Sequence, residues 1–251
     1  MYRYFLHMAY DGTSYKGWQS QPGGNTVQQA VEHALTTLLG EDIPVTGAGR
    51  TDTGVHASFF VAHFDTPKLL EVRKKDLVFR LNRFLPEDIV VYKLQQVPEK
   101  MHARYSVSYR TYHYHISTVK PLYTRNYTHY VHGPLDVEEI GRCCELIMET
   151  TDFTSFSKLH TDVKTNHCHV MEASWNEEET GYVFEIRADR FLRNMVRSIV
   201  GTLLDVGYGK INLDDFRKII DARDRSRAGM SAPAKGLFLV DIGYSVVPAG
   251  E

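Results

Sequence analysis

The chain has 251 residues, 43% of them hydrophobic and 24% charged, and a formal net charge of −2. That composition is ordinary for one large globular domain or two small ones. It holds no apolar run as long as a membrane span, and it counts mildly against nucleic acid recruited by overall charge. The charge is unevenly spread, however. Acidic residues gather at Glu177, Glu178, Glu179, Asp214 and Asp215, and arginines at Arg187, Arg190, Arg193 and Arg197 and again at Arg223, Arg225 and Arg227. A near-neutral protein can therefore still carry one basic face.

Residues 2–10 alternate as a strand does, and Asp11 to Asn25 is a polar, glycine-rich connection around Trp18. Thr26-Val27-Gln28-Gln29 has the form of a capping box, with Thr26 as N-cap and Gln29 reaching back. Val27, Ala30, Val31, Ala34, Leu35 and Leu38 then make one apolar helical stripe, which Gly40 ends. The apolar runs Ile43–Val45 and Phe59–Phe64 read as strands on either side of a loop. A second helix is expected from Arg73 to Phe84, with Pro86 at its exit, and a strand from Ile89 to Val97. Near residue 100 the pattern begins again: a strand over Tyr105–Ile116, a helix over Val137–Glu149, and a hairpin of Val170–Trp175 and Tyr182–Ala188. The strongest helical stripe follows, from Leu192 to Leu204, then a short helix over Leu213–Ile220 and a last strand over Leu237–Val246. Strands and helices mix without strict alternation, so the expected class is α+β with mainly antiparallel sheet. The recurrence suggests two α/β lobes meeting at a cleft, residues 1–103 and 104–251.

Three cysteines, with Cys143 and Cys144 adjacent in a helical pattern, suggest no disulfide framework. Met1–Tyr10 lacks the apolar core and cleavage site of a secretory signal. The expectation is a reducing, cytoplasmic setting.

The most informative stretch is Gly47-Ala48-Gly49-Arg50-Thr51-Asp52-Thr53-Gly54-Val55-His56-Ala57. It places one carboxylate, Asp52, in a loop whose three glycines permit left-handed or crowded backbone. A side chain there is held on rigid flanks yet reachable by a ligand, and Arg50 is near enough to influence its charge or fix a phosphate. On composition alone an Asx-turn with a solvated Arg50 fits as well. Further along, Arg110, Tyr112 and Tyr114 share one face of a strand, which a packed cross-strand aromatic pair would also explain. Arg193 and Arg197 stand i, i+4 in the strongest helical pattern, where a solvated arginine face is the plain alternative. His167-Cys168-His169 could suggest a metal. Strand neighbours point to opposite faces, however, and no second ligand pair stands at structural-zinc spacing. Neither a Walker loop nor a dinucleotide fingerprint occurs, nor a Gly-x-Ser-x-Gly elbow.

The string Gly49 to His56 resembles the active-site signature of the tRNA pseudouridine synthase A family. Arg110-Thr111-Tyr112-His113-Tyr114 resembles its Arg-x-Tyr-x-Tyr motif, Met195 to Gly201 its third motif, and Lys235 to Val240 its final strand. Tyr10-Asp11-Gly12, Tyr15 to Gln19 and Asp152 to Phe156 match other segments, so the resemblance covers almost the whole chain. Thr53 and Ala57 depart from common family residues without removing a reactive group. Arg193 falls at a variable position.

The resemblance implies two ferredoxin-like lobes around a central active-site cleft. It also implies a cofactor-free, metal-free isomerase converting uridine to pseudouridine at positions 38–40 of the tRNA anticodon stem-loop, and a homodimer. Asp52 is then the essential carboxylate, whether it attacks C1′, attacks C6 or removes the C2′ proton. Tyr112 stacks on the target base and Arg197 pairs with Asp52, keeping it ionised and oriented. Arg50 contacts phosphate or fills the space of the extruded base, and Arg190 and Arg193 hold phosphates. Leu237, with Leu239 as the alternative, lines the uracil pocket. Two other classes are weighed against this one. A non-catalytic RNA-binding relative would not need Asp52, and a glycoside hydrolase would need two catalytic carboxylates where the signature loop has one.

Overall fold

The computed structural model describes residues 1–70, 73–158 and 165–244. In chain order these form β1 (Tyr2–Tyr10), α1 (Val27–Leu39), β2 (Thr46–Gly47), β3 (His56–Thr66), α2 (Lys74–Phe84), β4 (Ile89–Val97) and β5 (Val107–Ser117). They continue with β6 (His129–Tyr130), α3 (Val137–Glu149), β7 (Val170–Glu178), β8 (Gly181–Ala188), α4 (Met195–Gly207), α5 (Leu213–Ala222) and β9 (Leu237–Tyr244). The class is mixed α and β with mainly antiparallel pairing, as the lack of strict alternation predicts. The expected extension of the last strand to Val246 lies outside the described residues. Among the described residues no helix is long and apolar enough to cross a membrane. The chain forms two compact units, Met1–Ser108 with the stretch from Leu239, and Tyr109–Phe238.

In the first unit the strand order is β4–β1–β3–β9, with β2 added on β3. The pairing of β1 with β3 runs from Tyr2 opposite Thr66 to Tyr10 opposite Ala57, with a bulge between Met8 and Tyr10. β1 therefore ends beside the start of β3, and Asp11 onward leaves the sheet next to the loop that precedes His56. Helix α1 begins where Thr26 caps it. The Thr26 hydroxyl accepts from the Gln29 N–H at 3.4 Å and donates to Gln29 Oε1 at 2.8 Å, so the expected box closes side chain to side chain. Gly40, at φ 69°, ends it.

One expected strand is absent. Ile43–Val45 carries no regular structure, and regular pairing with β3 covers only Thr46–Gly47. Pro44 has no N–H to give a ladder. The N–H groups on either side of it are taken by α1: Ile43 donates to Thr36 Oγ1 at 3.1 Å and Val45 to Glu32 Oε1 at 2.9 Å.

The alternation in β1 is also less clean than a one-sided sheet would give. Tyr4, Leu6 and Met8 are fully buried, and so is Phe5 on the opposite face. That second face is covered by the segment after β4. Ala103 donates its N–H to His63 Nδ1 at 3.1 Å and accepts from the Tyr244 hydroxyl at 2.7 Å. The Phe5, His63 and His102 rings follow one another toward the surface. Arg3 binds Asp65 through two bonds of 2.8 and 2.7 Å and donates to the Glu99 and Met101 carbonyls.

In the second unit β8 lies between β5 and β7, and the short β6 runs parallel to β5. The hairpin turns at Glu179-Thr180, as expected, with each strand slightly longer than predicted. Helix α3 packs on β7 and against α4 and α5. Asp136 caps α3, and Asn212 with Asp215 forms a reciprocal capping box on α5. Helix α4 starts only at Met195. The expected helical stripe therefore overruns its beginning by three residues, because Asn194 is left-handed at φ 66° and turns the chain there.

His63 supplies a test of the packed second face. Its burial, with Arg3 and His102 close by, draws its pKa down to about 4. An unfolded histidine titrates near ~6.5. Between those values the unfolded chain takes up a proton that the folded chain refuses. Stability should therefore fall as pH drops from about 6.5 to about 4. In His63→Asn, whose amide oxygen can still accept from Ala103, the fall over that window should be shallower. Urea unfolding at stepped pH checks this; an unchanged slope would remove His63 from the cause.

Candidate active site

The loop carrying Asp52 is shaped by the chain that leaves β1. Tyr10 and Thr51 share a buried hydroxyl–hydroxyl bond of 2.9 Å, and the Trp18 N–H donates to the Thr51 carbonyl at 3.4 Å. The Gly54 N–H donates to Tyr15 O at 3.3 Å, and the Val55 N–H closes a turn on Asp52 O at 3.1 Å. Gly17 sits at φ +83°, and a Cβ there would lie 2.2 Å from the Thr51 carbonyl oxygen. Only glycine allows this approach. At the far end of the loop buried His56 accepts from the Gly12 N–H at 3.1 Å and meets Asp11 at 3.0 Å. Main-chain bonds thus grip the backbone on both sides of Asp52, whose side chain remains half-buried. Arg50 is exposed and donates to Gln19 Oε1 at 3.2 Å.

Sequence reasoning singled out Asp52 and Arg50 but missed the residues that fix them. Tyr10 and Trp18 belong to a ring cluster with Phe60, the Trp18 and Phe60 centroids 4.2 Å apart. Their signal was the aromatic and glycine content of Tyr10 to Trp18.

The remaining predicted residues, apart from Leu239, belong to the second unit. Tyr112 and Tyr114 stand on one face of β5, as the strand period requires, opposite Ile186 and Phe184 of β8. Tyr112 is buried and meets the Phe191 ring edge-on at 5.0 Å. Tyr114 is fully enclosed, donates its hydroxyl to Pro233 O at 2.8 Å, and is pushed well above the usual phenol range by burial, against the opposing pull of the Arg197 charge. Arg197, near the start of α4, donates its Nε–H to Ala232 O at 2.7 Å, while the Ala232 N–H donates to Arg197 O at 2.9 Å.

Arg193 does not share a helical face with Arg197, contrary to the i, i+4 reading. It precedes the left-handed Asn194, is exposed, and its carbonyl accepts from the Lys158 N–H at 3.0 Å. Arg190 is half-buried, its N–H held by the Asp189 carboxylate at 2.7 Å. Leu237 and Leu239 are both buried.

A segment that sequence reasoning passed over, Ala228 to Pro233, lies along α4. Gly201 meets it so closely that a Cβ would sit 1.7 Å from the Met230 carbonyl oxygen. The Gly229 N–H donates to Thr202 Oγ1 at 3.0 Å, and Asn194 Nδ2 reaches Ser231 Oγ at 2.5 Å. Arg225 also holds the segment, donating to Ala228 O at 3.3 Å, Gly229 O at 3.2 Å and Ser231 Oγ at 2.9 Å. Burial lowers the Arg225 pKa, but a guanidinium stays charged at any working pH.

Cys143, Cys144 and Cys168 are free, buried thiols pushed up to about 12 by burial, and so are inert as nucleophiles. His167 lies 3.9 Å from Asp152, and no set of three metal-binding side chains occurs among the described residues. A surface cavity of about 310 Å³ is lined by residues including Leu146, Thr150, Asp152, Arg217 and Arg223. None of the predicted site residues lines it.

A family described as tRNA pseudouridine synthase matches residues 7–106 and 149–245, spanning both the Asp52 loop and the Arg197 helix. Among curated relatives, the tRNA pseudouridine synthase A of Bacteroides thetaiotaomicron is 53% identical, over 97% of this chain and 91% of its own. That of Bacteroides fragilis is 54% identical over 96% of each. A more distant one, from Bacillus pumilus, is 40% identical over 94% of this chain and 97% of its own. With likeness of that depth running from the first strand to the last, the chain belongs to the tRNA pseudouridine synthase family.

Proposed function

We propose that this chain isomerises uridine to pseudouridine at positions 38–40 of the tRNA anticodon stem-loop, with Asp52 as its catalytic carboxylate. The observation that carries this reading is the Asp52 loop, whose backbone is fixed on both sides while the carboxylate remains reachable. The reaction breaks the N1–C1′ bond, turns the uracil and rejoins it through C5. The C5 proton leaves and N1 gains one. Nothing is oxidised and no phosphate bond changes, so one carboxylate and a pocket that retains free uracil suffice. Asp52 can serve by attacking C1′, by attacking C6 or by removing the C2′ proton. Each route needs it ionised and aimed, which is the role we give Arg197.

Tyr112 stacks on the base and is suited to take the C5 proton. Leu237 lines the uracil pocket, with Leu239 the alternative. We read residues 1–103 as the lobe carrying the Asp52 loop and 104–251 as the lobe carrying the tyrosine and arginine motifs. In this reading the two are ferredoxin-like lobes around a central cleft, in a cytoplasmic homodimer. The target base must leave its stack, which costs a few kcal/mol. Arg50, Arg190 and Arg193 offset that cost through phosphate contacts.

Replacing the carboxylate by its amide keeps the shape and removes charge and basicity. Asp52→Asn should lower turnover by about 1,000-fold or more while tRNA affinity changes little. Carbodiimide primer extension reads the product, and substantial pseudouridine formation would sink the assignment. Since isomerisation leaves the mass of tRNA unchanged, the same reaction followed by mass spectrometry separates it from base-releasing hydrolysis.

Arg197→Met should lower kcat by roughly 100-fold and move the acid limb of the rate profile to higher pH. An unaltered profile would count against the Asp52–Arg197 pair.

Affinity for tRNA should fall log-linearly with salt. Arg190→Ala or Arg193→Ala should each shallow the slope by about 0.7–0.9 without changing the single-turnover rate at saturating tRNA. A slope near zero in the parent protein would mean these arginines serve the fold or the chemistry instead.

A further inference from the structure

Arg225 belongs to an arginine-rich stretch that the proposed chemistry does not use. Three observations make it more than a surface charge. First, its guanidinium makes three hydrogen bonds, to Ala228 O, Gly229 O and Ser231 Oγ, all within one short irregular segment and all to neutral acceptors. Second, the last two residues of that segment hold the Arg197 and Tyr114 side chains. Ala232 O accepts from Arg197 Nε at 2.7 Å, and Pro233 O accepts from the Tyr114 hydroxyl at 2.8 Å. Third, the turn that presents Arg225 is itself pinned. Asp224 accepts from the Ser226 N–H at 2.8 Å and from the Ser226 hydroxyl at 2.8 Å. The Asp224 N–H donates to buried Ser155 Oγ at 3.0 Å, and that same hydroxyl donates to Ile219 O at 2.6 Å.

A segment without helix or strand has no ladder to fix where its carbonyls point. Ala232 O can orient the Arg197 fork only if something else fixes the segment. The charge-assisted bonds from Arg225 and the contact of Gly201 with Met230 O both do so. We infer that Arg225 is a positioning residue for catalysis, acting through the segment Ala228–Pro233 to set the direction of the Arg197 guanidinium. This rests on the reading in which Arg197 serves Asp52. The chemistry tolerates little error in that direction, since misplacement of a reacting group by about 1 Å can cost a hundredfold in rate.

The test compares Arg225→Ala, Arg225→Lys and Arg197→Met singly and Arg225→Ala with Arg197→Met together, in single-turnover reactions on tRNA transcript across pH. Arg225→Ala is expected to lower the rate about tenfold, with KM for tRNA little changed. It should also displace the acid limb of the profile in the same direction as Arg197→Met. Arg225→Lys keeps the charge but not the planar fork and should recover part of the loss. In the Arg197→Met background, Arg225→Ala should cost nothing further, because the group it positions is gone. Loss by the same factor in both backgrounds, or a tenfold loss with an unshifted profile, would overturn the inference. Full activity in Arg197→Met would overturn the reading beneath it instead. Thermal unfolding and circular dichroism establish that each variant folds. If Arg225→Ala does not fold, Ser231→Ala carries the same comparison. It removes one of the three acceptors, together with the Asn194 bond to the same oxygen, and leaves the other two; a rate and profile identical to the parent's would overturn the proposal.

Discussion

A lone carboxylate on a loop has no direction of its own, and the constraint on which this site rests is the grip of the chain after β1 on the Asp52 loop. Antiparallel pairing delivers Tyr10 opposite Ala57, so the segment that follows has to run beside the loop. Bonds to Thr51 O, Thr51 Oγ1 and the Gly54 N–H then fix the backbone on either side of Asp52. Each is worth only about 1 kcal/mol net. Their value to the site is geometric, because they remove the freedom that three nearby glycines would otherwise leave. The left-handed Gly17 is what lets the two segments touch. The sheet register, the aromatic cluster around Trp18 and the placement of the carboxylate are in that sense one arrangement.

The second unit solves a related problem by different means. Arg197 stands near the beginning of α4, where a helix can aim the first part of a side chain but not a guanidinium four bonds further out. Its Nε–H is fixed by Ala232 O, which in turn depends on a segment bonded to α4 through Thr202 and Asn194. Tyr114 is fastened to the same segment through Pro233. Its hydroxyl is thereby committed as a donor to a carbonyl of that segment.

Much of this was legible in the sequence. The bounds of β4 and α3 follow from apolar periodicity, because both are amphipathic elements whose burial and pattern coincide. The Asp52 loop, Tyr112 and Arg197 were marked by motif. What was not legible depends on contacts made far along the chain. Ile43–Val45 has the composition of a strand, but its N–H groups answer to α1. The stretch from Leu192 to Asn194 has helical spacing, but Asn194 adopts a left-handed backbone, which removes Arg193 from the helix. Nothing local announces that Ala228–Pro233 supports Arg197, since its role comes from carbonyls, which every sequence has.

The handling of Ile43–Val45 has a consequence for solubility. Ile43 and Val45 are buried, and the run has the branched apolar residues that favour strand pairing. An extended apolar segment with open N–H groups invites edge-to-edge association with another chain. Here Thr36 and Glu32 occupy the two donors from within, Pro44 supplies none, and Gln28 donates to the Val45 carbonyl at 3.0 Å. The polar residues of α1 thus take the donors that edge pairing would use, and replacing Glu32 or Thr36 by alanine would leave one of those N–H groups without its acceptor even while it raised helix propensity.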